Sequence, residues 1–164
     1  FIARTAFRGS DLALPIVERK SDTKLFLDNH ALCNITESLV FTDPYHDAEL
    51  NHHNPAVDGV VADLRQNIKL KAEAQALLTK FVANSETMLH GDLHTGSVMC
   101  TEGSIRVIDP EFATYGPMGF DLGMMLANLV MAYISQPAHR SPEDLASYQD
   151  WILDMIKDLS LIHI

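Results

Sequence analysis

The sequence has 164 residues, of which 47% are hydrophobic and 21% charged, and its formal net charge at pH 7 is −10. This composition indicates one folded domain and excludes an intrinsically disordered chain. The negative charge argues against a nucleic-acid partner, because binding to phosphate backbones needs clustered Lys and Arg side chains. It would also repel a bound polyphosphate, so a nucleotide would need a cation such as Mg²⁺ beside it.

Residues 124–134 form the longest apolar segment, but Asn128 interrupts it and it is well below the roughly 20 residues that span a bilayer. The two cysteines, Cys33 and Cys100, lack metal-ligand spacing, and no secretory leader is recognised. We therefore expect a cytoplasmic protein without membrane contact. Because the chain begins at Phe1 and not at Met, we also expect a fragment.

The amino-terminal part of the chain predicts little regular structure. Residues 1–24 contain Gly9 and Pro15 and predict an irregular or partly helical surface segment. A short helix is expected from Asp28 to about Pro44, since the residue before a proline avoids helical geometry. Residues 45–59, rich in His, Asn and Asp, predict a surface loop.

The longer helices are predicted by apolar periodicity. Residues 57–82 predict one long amphipathic helix that ends near Asn84. Residues 120–134 are apolar nearly all round, which is typical of a helix enclosed by other helices. Ser141 and Pro142 predict the cap and first turn of a last helix. With short β-prone runs between these helices, the fold class is α+β, mainly helical.

Two polar loops place carboxylates beside those short β-prone runs, which lie at 87–89, 98–100 and 105–108. The first loop, residues 90–97, reads His-Gly-Asp-Leu-His-Thr-Gly-Ser, and the second, residues 107–112, reads Val-Ile-Asp-Pro-Glu-Phe. Phosphoryl transfer needs one carboxylate to orient the attacking hydroxyl and others to hold magnesium. The two loops are predicted to divide these tasks.

Residues 90–97 resemble the catalytic loop of the aminoglycoside-phosphotransferase-like kinases, which has the order of the protein-kinase loop. Ser97 stands where an Asn is usual in that group. Together with Val-Ile-Asp-Pro-Glu-Phe-Ala at 107–113 and Tyr-Gly-Pro-Met-Gly-Phe-Asp-Leu-Gly at 115–123, the loop is similar to the methylthioribose kinase family. The similarity extends over residues 32–159.

The resemblance implies that residues 1–164 are a partial kinase domain, the C-terminal lobe of a protein-kinase-like fold without its amino-terminal lobe. It implies ATP-dependent phosphorylation of 5-methylthioribose at the anomeric hydroxyl in methionine salvage, with Mg²⁺ as cofactor and a homodimer as the assembly. No glycine-rich phosphate loop or strand Lys is found upstream, so the fragment alone is expected to be nearly inactive. The tail, residues 160–164, departs from the family and is given no function.

The resemblance also assigns roles to single residues. Asp92 takes the place of the catalytic base, which contacts the substrate hydroxyl. Asp109, Pro110 and Glu111 form the ATP-binding segment, in which Asp109 and Glu111 hold the metal. Ser97 is a weaker metal or phosphate ligand, because a hydroxyl is a poorer ligand than an amide oxygen or a carboxylate.

Other interpretations stay open. Sugar, choline and aminoglycoside kinases share the loop, and an inactive binding or scaffold fragment is a further alternative. His90 and His94 flank Asp92 in an array that also suits a transition-metal hydrolase. The acidic residues are also common in ordinary turns.

Some residues are expected to have structural roles. In the kinase interpretation His90 holds the loop backbone, whereas His94 has no assigned role. Asp121 is predicted to cap the free N–H groups of its own helix. The histidines of the surface loop are expected to be solvated and not to bind metal; they are His46, His52 and His53.

Overall fold

Helices form most of the chain in the computed structural model, which describes residues 2–26 and 29–161, without the side chain of Leu161. The predicted helix start at Asp28 and the end of the tail, residues 162–164, lie outside the described residues. Helices α1 (Ile2–Arg8) and α2 (Ile16–Leu25) make the first segment more helical than predicted. Gly9 and Pro15 lie between these two helices, so neither residue breaks one.

A change of helix type follows α3 (His30–Thr36). The chain continues as a π-helical turn, Glu37–Thr42, and a 3₁₀ turn, Asp43–Tyr45. The predicted end near Pro44 is confirmed. The next residues are irregular up to the 3₁₀ turn Pro55–Val57, which confirms the predicted surface loop over most of its length.

The predicted single long helix is wrong, because the structure divides it into α4 (Asp58–Gln66) and α5 (Ile68–Ala83). The break lies at Asn67, whose ψ of 90° is not helical. The Asn67 side chain accepts a hydrogen bond of 3.0 Å from the backbone N–H of Leu70 and so caps the second helix. Apolar periodicity continues across the break and hides it in the sequence.

Four short strands carry the two polar loops. Strand β1 (Thr87–Leu89) pairs antiparallel with β4 (Thr114–Gly116), and β2 (Val98–Thr101) pairs antiparallel with β3 (Ser104–Val107). Strand β4 lies outside the three predicted β-prone runs. A strand of three residues is too short to give a recognisable alternation of apolar and polar side chains.

Helix α6 (Phe120–Ser135) follows the second loop and packs against α7 (Pro142–Leu161). The expectation that α6 is enclosed on all sides is wrong, since Met131 is 59% and Ile134 69% exposed. The predicted cap of α7 is confirmed, because the Ser141 hydroxyl oxygen accepts a hydrogen bond of 3.3 Å from the N–H of Asp144. None of the described helices is long and apolar enough to cross a membrane.

Three aromatic rings join the π-helical turn, α5 and the start of α6. The ring centroids of Phe41 and Phe81 are 5.4 Å apart, and those of Phe81 and Phe120 are 4.8 Å apart. Such tilted pairs are favourable beyond their burial of apolar area. The cluster fixes the start of α6, the point at which the helix meets the first polar loop.

Candidate active site

The first polar loop, residues 90–97, is anchored at its start by α6. The backbone N–H groups of His90 and Gly91 donate to the two carboxylate oxygens of Asp121, at 2.7 and 3.0 Å. Burial raises the pKa of the Asp121 carboxyl group, although the two N–H donors act in the opposite direction. The predicted capping of its own helix is wrong: Asp121 binds the loop.

The His90 ring connects the two polar loops. Its Nε2 lies 2.8 Å from the carbonyl oxygen of Ile108, and its Nδ1 accepts a hydrogen bond of 3.4 Å from the N–H of Asp92. The ring is buried, and the next apolar residue, Leu93, is only 1% exposed. The prediction that His90 holds the loop backbone is confirmed.

The far end of the loop is fixed by two further side chains. The Ser97 hydroxyl donates to the carbonyl oxygen of Asp92 at 3.1 Å. The Thr95 hydroxyl donates to Oδ1 of Asn128 on α6 at 2.8 Å. Asn128 lies two turns after Asp121, so one helix face holds both ends of the loop.

Asp92 lies between these anchors and keeps its side chain partly exposed. In its side chain 44% of the surface is accessible, and Oδ2 is 3.6 Å from Nε2 of His94. The Nδ1 of His94 in turn accepts a hydrogen bond of 3.0 Å from the N–H of Gly96. A carboxylate held in this way between a packed loop and solvent can accept a proton from a bound hydroxyl group.

The second polar loop lies directly against the first. Gly91 has φ +85°, and a Cβ added there would overlap the carbonyl oxygen of Phe112. Only glycine therefore permits this approach of the two backbones. The Asn29 amide donates to the carbonyl oxygens of Glu111 and Ala113, at 3.0 and 2.8 Å, and closes the loop from the other side. No pattern in the sequence indicates this role of Asn29.

Asp109 has a strained backbone at the start of this loop. Its φ of 63° is the one positive value among the described residues other than glycine. Asp tolerates this region better than most residues, but the conformation still costs free energy. Pro110 follows, and its carbonyl oxygen accepts a hydrogen bond of 3.0 Å from the N–H of Ala113. The turn leaves Asp109 and Glu111 on the same exposed loop.

The carboxylates of Asp109 and Glu111 have no hydrogen-bond or ion-pair partner within residues 2–26 and 29–161. The same residues contain no group of three or more His, Cys, Asp or Glu that could hold a metal ion. Magnesium is commonly bound by one or two carboxylates together with substrate phosphates and water. The donor set thus fits a magnesium ion that is shared with a nucleotide, and does not fit a metal cage built by protein alone.

The transition-metal alternative has no support in this geometry. Both ring nitrogens of His90 already contact backbone atoms, and Nδ1 of His94 is also engaged. In the surface loop, Nε2 of His53 lies 3.1 Å from Oδ1 of Asp58, and this contact is exposed to solvent. The two loops that carry the acidic residues are each fixed from outside, one to α6 and the other to Asn29.

The comparisons agree with the loop motifs. A family model described as "Phosphotransferase enzyme family" matches residues 27–151. The chain is 42% identical over 160 residues to methylthioribose kinase 1 of Oryza sativa subsp. japonica, covering 96% of this chain and 37% of the relative. It is 41% identical over 158 residues to the methylthioribose kinase of Escherichia coli O45:K1, covering 95% of this chain and 38% of the relative.

A third relative gives the same result. The methylthioribose kinase of Geobacillus thermodenitrificans is 45% identical over 137 residues, which is 84% of this chain and 34% of the relative. The predicted resemblance is confirmed by these matches. The chain spans less than two fifths of the length of each of these curated relatives.

Proposed function

Because this chain belongs to the phosphotransferase enzyme family, we propose that it carries the catalytic loop of a kinase that phosphorylates 5-methylthioribose at its anomeric hydroxyl group. The proposed phosphate donor is ATP, and the proposed product is the 1-phosphate formed in methionine salvage. The observation that carries the proposal is the partly exposed Asp92 carboxylate in a loop whose two ends are fixed to α6. The identity of 41 to 42% to relatives named methylthioribose kinase supports the substrate.

Asp92 acts as the base in this proposal. The anomeric hydroxyl group donates a hydrogen bond to the carboxylate, and its oxygen attacks the γ-phosphorus of ATP. The new oxygen–phosphorus bond forms while the bond to the β–γ bridging oxygen breaks, which releases ADP. The hydroxyl proton passes to Asp92 and then to solvent. The balance is methylthioribose and ATP giving methylthioribose 1-phosphate, ADP and a proton.

Asp109 and Glu111 would hold Mg²⁺, and Ser97 would be a weaker ligand or phosphate contact. The ion, when bound, neutralises charge on the phosphates. The unpaired carboxylates of these two residues and the strained backbone of Asp109 support this role. Pro110 would shape the ATP-binding segment through its turn with Ala113. A homodimer in the cytoplasm is proposed from the family resemblance alone.

The experiment is magnesium-dependent ADP release by the protein expressed from its complete reading frame, with methylthioribose, choline and an aminoglycoside offered as acceptors. We expect turnover of methylthioribose only, and nearly none from the 164-residue chain alone. Turnover of another acceptor would keep the reaction but overturn the substrate. No turnover of any acceptor, together with no magnesium-dependent nucleotide binding, would favour a scaffold.

A further inference from the structure

His94 contacts the proposed base, although the sequence assigned it no role. Its side chain is 40% exposed, so the ring does not fill the core. The ring lies close to Gly96, where an added Cβ would come within 2.7 Å of the ring Cε1 atom. Gly96 thus allows the ring to lie in one orientation, with Nε2 towards Asp92.

The hydrogen bond from Gly96 determines which ring nitrogen carries the proton. The backbone N–H of Gly96 donates to Nδ1 of His94, so Nδ1 is an acceptor and the proton of the neutral ring lies on Nε2. Nε2 is also the atom that lies 3.6 Å from Oδ2 of Asp92. The ring therefore directs an N–H group, and not a lone pair, at the carboxylate.

The distance of 3.6 Å is longer than a formed hydrogen bond. In enzymes without substrate, catalytic hydrogen bonds are often long and shorten when the substrate binds. Within the described residues, Oδ1 of Asp92 has no hydrogen-bond donor, so the two carboxylate oxygens have different surroundings. One oxygen faces the His94 N–H, and the other is free for a hydroxyl group.

We propose that His94 is a positioning residue for Asp92: its Nε2–H binds Oδ2 and so directs Oδ1 towards the acceptor hydroxyl group. The inference rests on the proposed function, in which Asp92 accepts the hydroxyl proton. His94 itself does not accept that proton, because Nε2 is already protonated and Nδ1 is occupied by Gly96. The residue is required for orientation of the base and not for the chemistry itself.

Two substitutions of His94 distinguish the role of Nδ1 from the role of Nε2. In His94→Asn the amide oxygen can take the place of Nδ1 and accept from Gly96, but no donor reaches Asp92. In His94→Gln the amide nitrogen can take the place of Nε2 and donate to Asp92, while the bond to Gly96 is lost. We expect His94→Gln to keep kcat within about threefold and His94→Asn to lower kcat about 10- to 100-fold, with little change in KM for the acceptor.

The opposite order, or equal losses in two variants of unchanged melting temperature, would overturn the proposal, because the donor kept by Gln would then have no effect. A third comparison tests whether His94 acts through Asp92. If it does, adding His94→Asn to Asp92→Asn lowers the residual rate no further, whereas a separate role would lower it by the same factor as in the wild type.

A measurement without turnover distinguishes this inference from the proposed function. The nitrogen chemical shifts of the His94 ring report its tautomer even if none of the acceptors is phosphorylated. In the neutral form of the ring the proton is expected on Nε2, and a neutral ring with its proton on Nδ1 would overturn the proposal. The acceptor assays decide the function separately, and the variants are compared on whichever acceptor the wild-type protein uses.

Discussion

The backbone N–H of His90 donates a hydrogen bond of 2.7 Å to Oδ2 of the Asp121 carboxylate. The second oxygen binds the next N–H, that of Gly91, at 3.0 Å. Both donors are backbone groups that the loop cannot satisfy internally, and the site is buried. The geometry of the loop around Asp92 therefore depends on an acidic residue about 30 positions later in the chain.

Replacement of Asp121 by Asn should destabilise the protein, because one amide NH₂ group would face a backbone N–H and leave it unpaired. We expect a loss of about 1–3 kcal/mol in the free energy of unfolding, together with a lower kcat. Urea denaturation followed by circular dichroism gives the first quantity. Asp63→Asn on the exposed face of α4 is the matched control, with an expected effect within about 0.5 kcal/mol. Equal effects of the two substitutions would contradict the anchoring role.

The raised pKa of Asp121 predicts a pH dependence of stability. The native state binds this proton more tightly than the unfolded chain, in which the pKa is near its ordinary value of 3.8. The contribution of the protonated group is therefore complete below 3.8 and is lost as pH rises through the higher native pKa. The stability of the wild type relative to Asp121→Asn should decrease with rising pH over this window and then become constant. An increase would show that the N–H donors outweigh burial.

Replacement of Gly91 by Ala should separate the two polar loops. A Cβ at this position would overlap the Phe112 carbonyl group. It would also be strained by the backbone φ of +85°, which residues with a side chain rarely adopt. Gly103, with φ +74° and no atom near an added Cβ, provides the control. Gly103→Ala should cost about 1 kcal/mol from backbone strain alone, and Gly91→Ala clearly more. If the two variants unfold at the same urea concentration, the contact between the loops contributes nothing.

Replacement of Asp92 by Asn should remove activity and leave the fold intact. The side chain is partly exposed and is not part of the core. We expect kcat to fall by a factor of about 10² to 10⁴, the usual contribution of a general base. Thermal unfolding of the same preparation checks the fold. A loss of stability that accounts for the loss of rate would contradict the catalytic assignment.

The Thr95–Asn128 hydrogen bond should affect rate more than stability, since Thr95 is exposed. Thr95→Val removes the hydroxyl donor, whereas Thr95→Ser keeps it. We expect a cost in stability of only about 0.5–1.5 kcal/mol for Thr95→Val, with a lower kcat, and nearly wild-type behaviour for Thr95→Ser. Asn128→Leu should give a further, smaller loss in the Thr95→Val background, because it also removes the 3.4 Å hydrogen bond from the Thr95 N–H. Equal kcat values for the Ser and Val variants would exclude a role for the Thr95 hydroxyl group.

The local signals of the sequence were sufficient for much of this structure. The cap at Ser141 and the strands β1, β2 and β3 depend on residues close in the chain, and they were predicted, whereas β4 was not. The break at Asn67 was missed, because the apolar periodicity on its two sides is continuous. The partners of Asp121 lie 30 and 31 positions earlier, and no local pattern reports a contact of that separation.

The same limit explains the error at α6. Its apolar composition predicted burial on all sides, yet Met131 and Ile134 are exposed. Composition reports how apolar a helix is, but not which neighbours cover it. For the candidate site, the motif gave the residue types, whereas the tethers from Asn29 and Asn128 needed the fold.

Three side chains outside the two polar loops share one property. Asp121, Asn128 and Asn29 all bind main-chain atoms of the loop that they hold. Main-chain groups are present whatever side chain a position carries. These bonds therefore do not depend on the side chains of the positions they hold, unlike the bonds that the His90, Thr95 and Ser97 side chains make themselves. A substitution inside a loop that keeps its backbone path should therefore leave these three side chains with their partners.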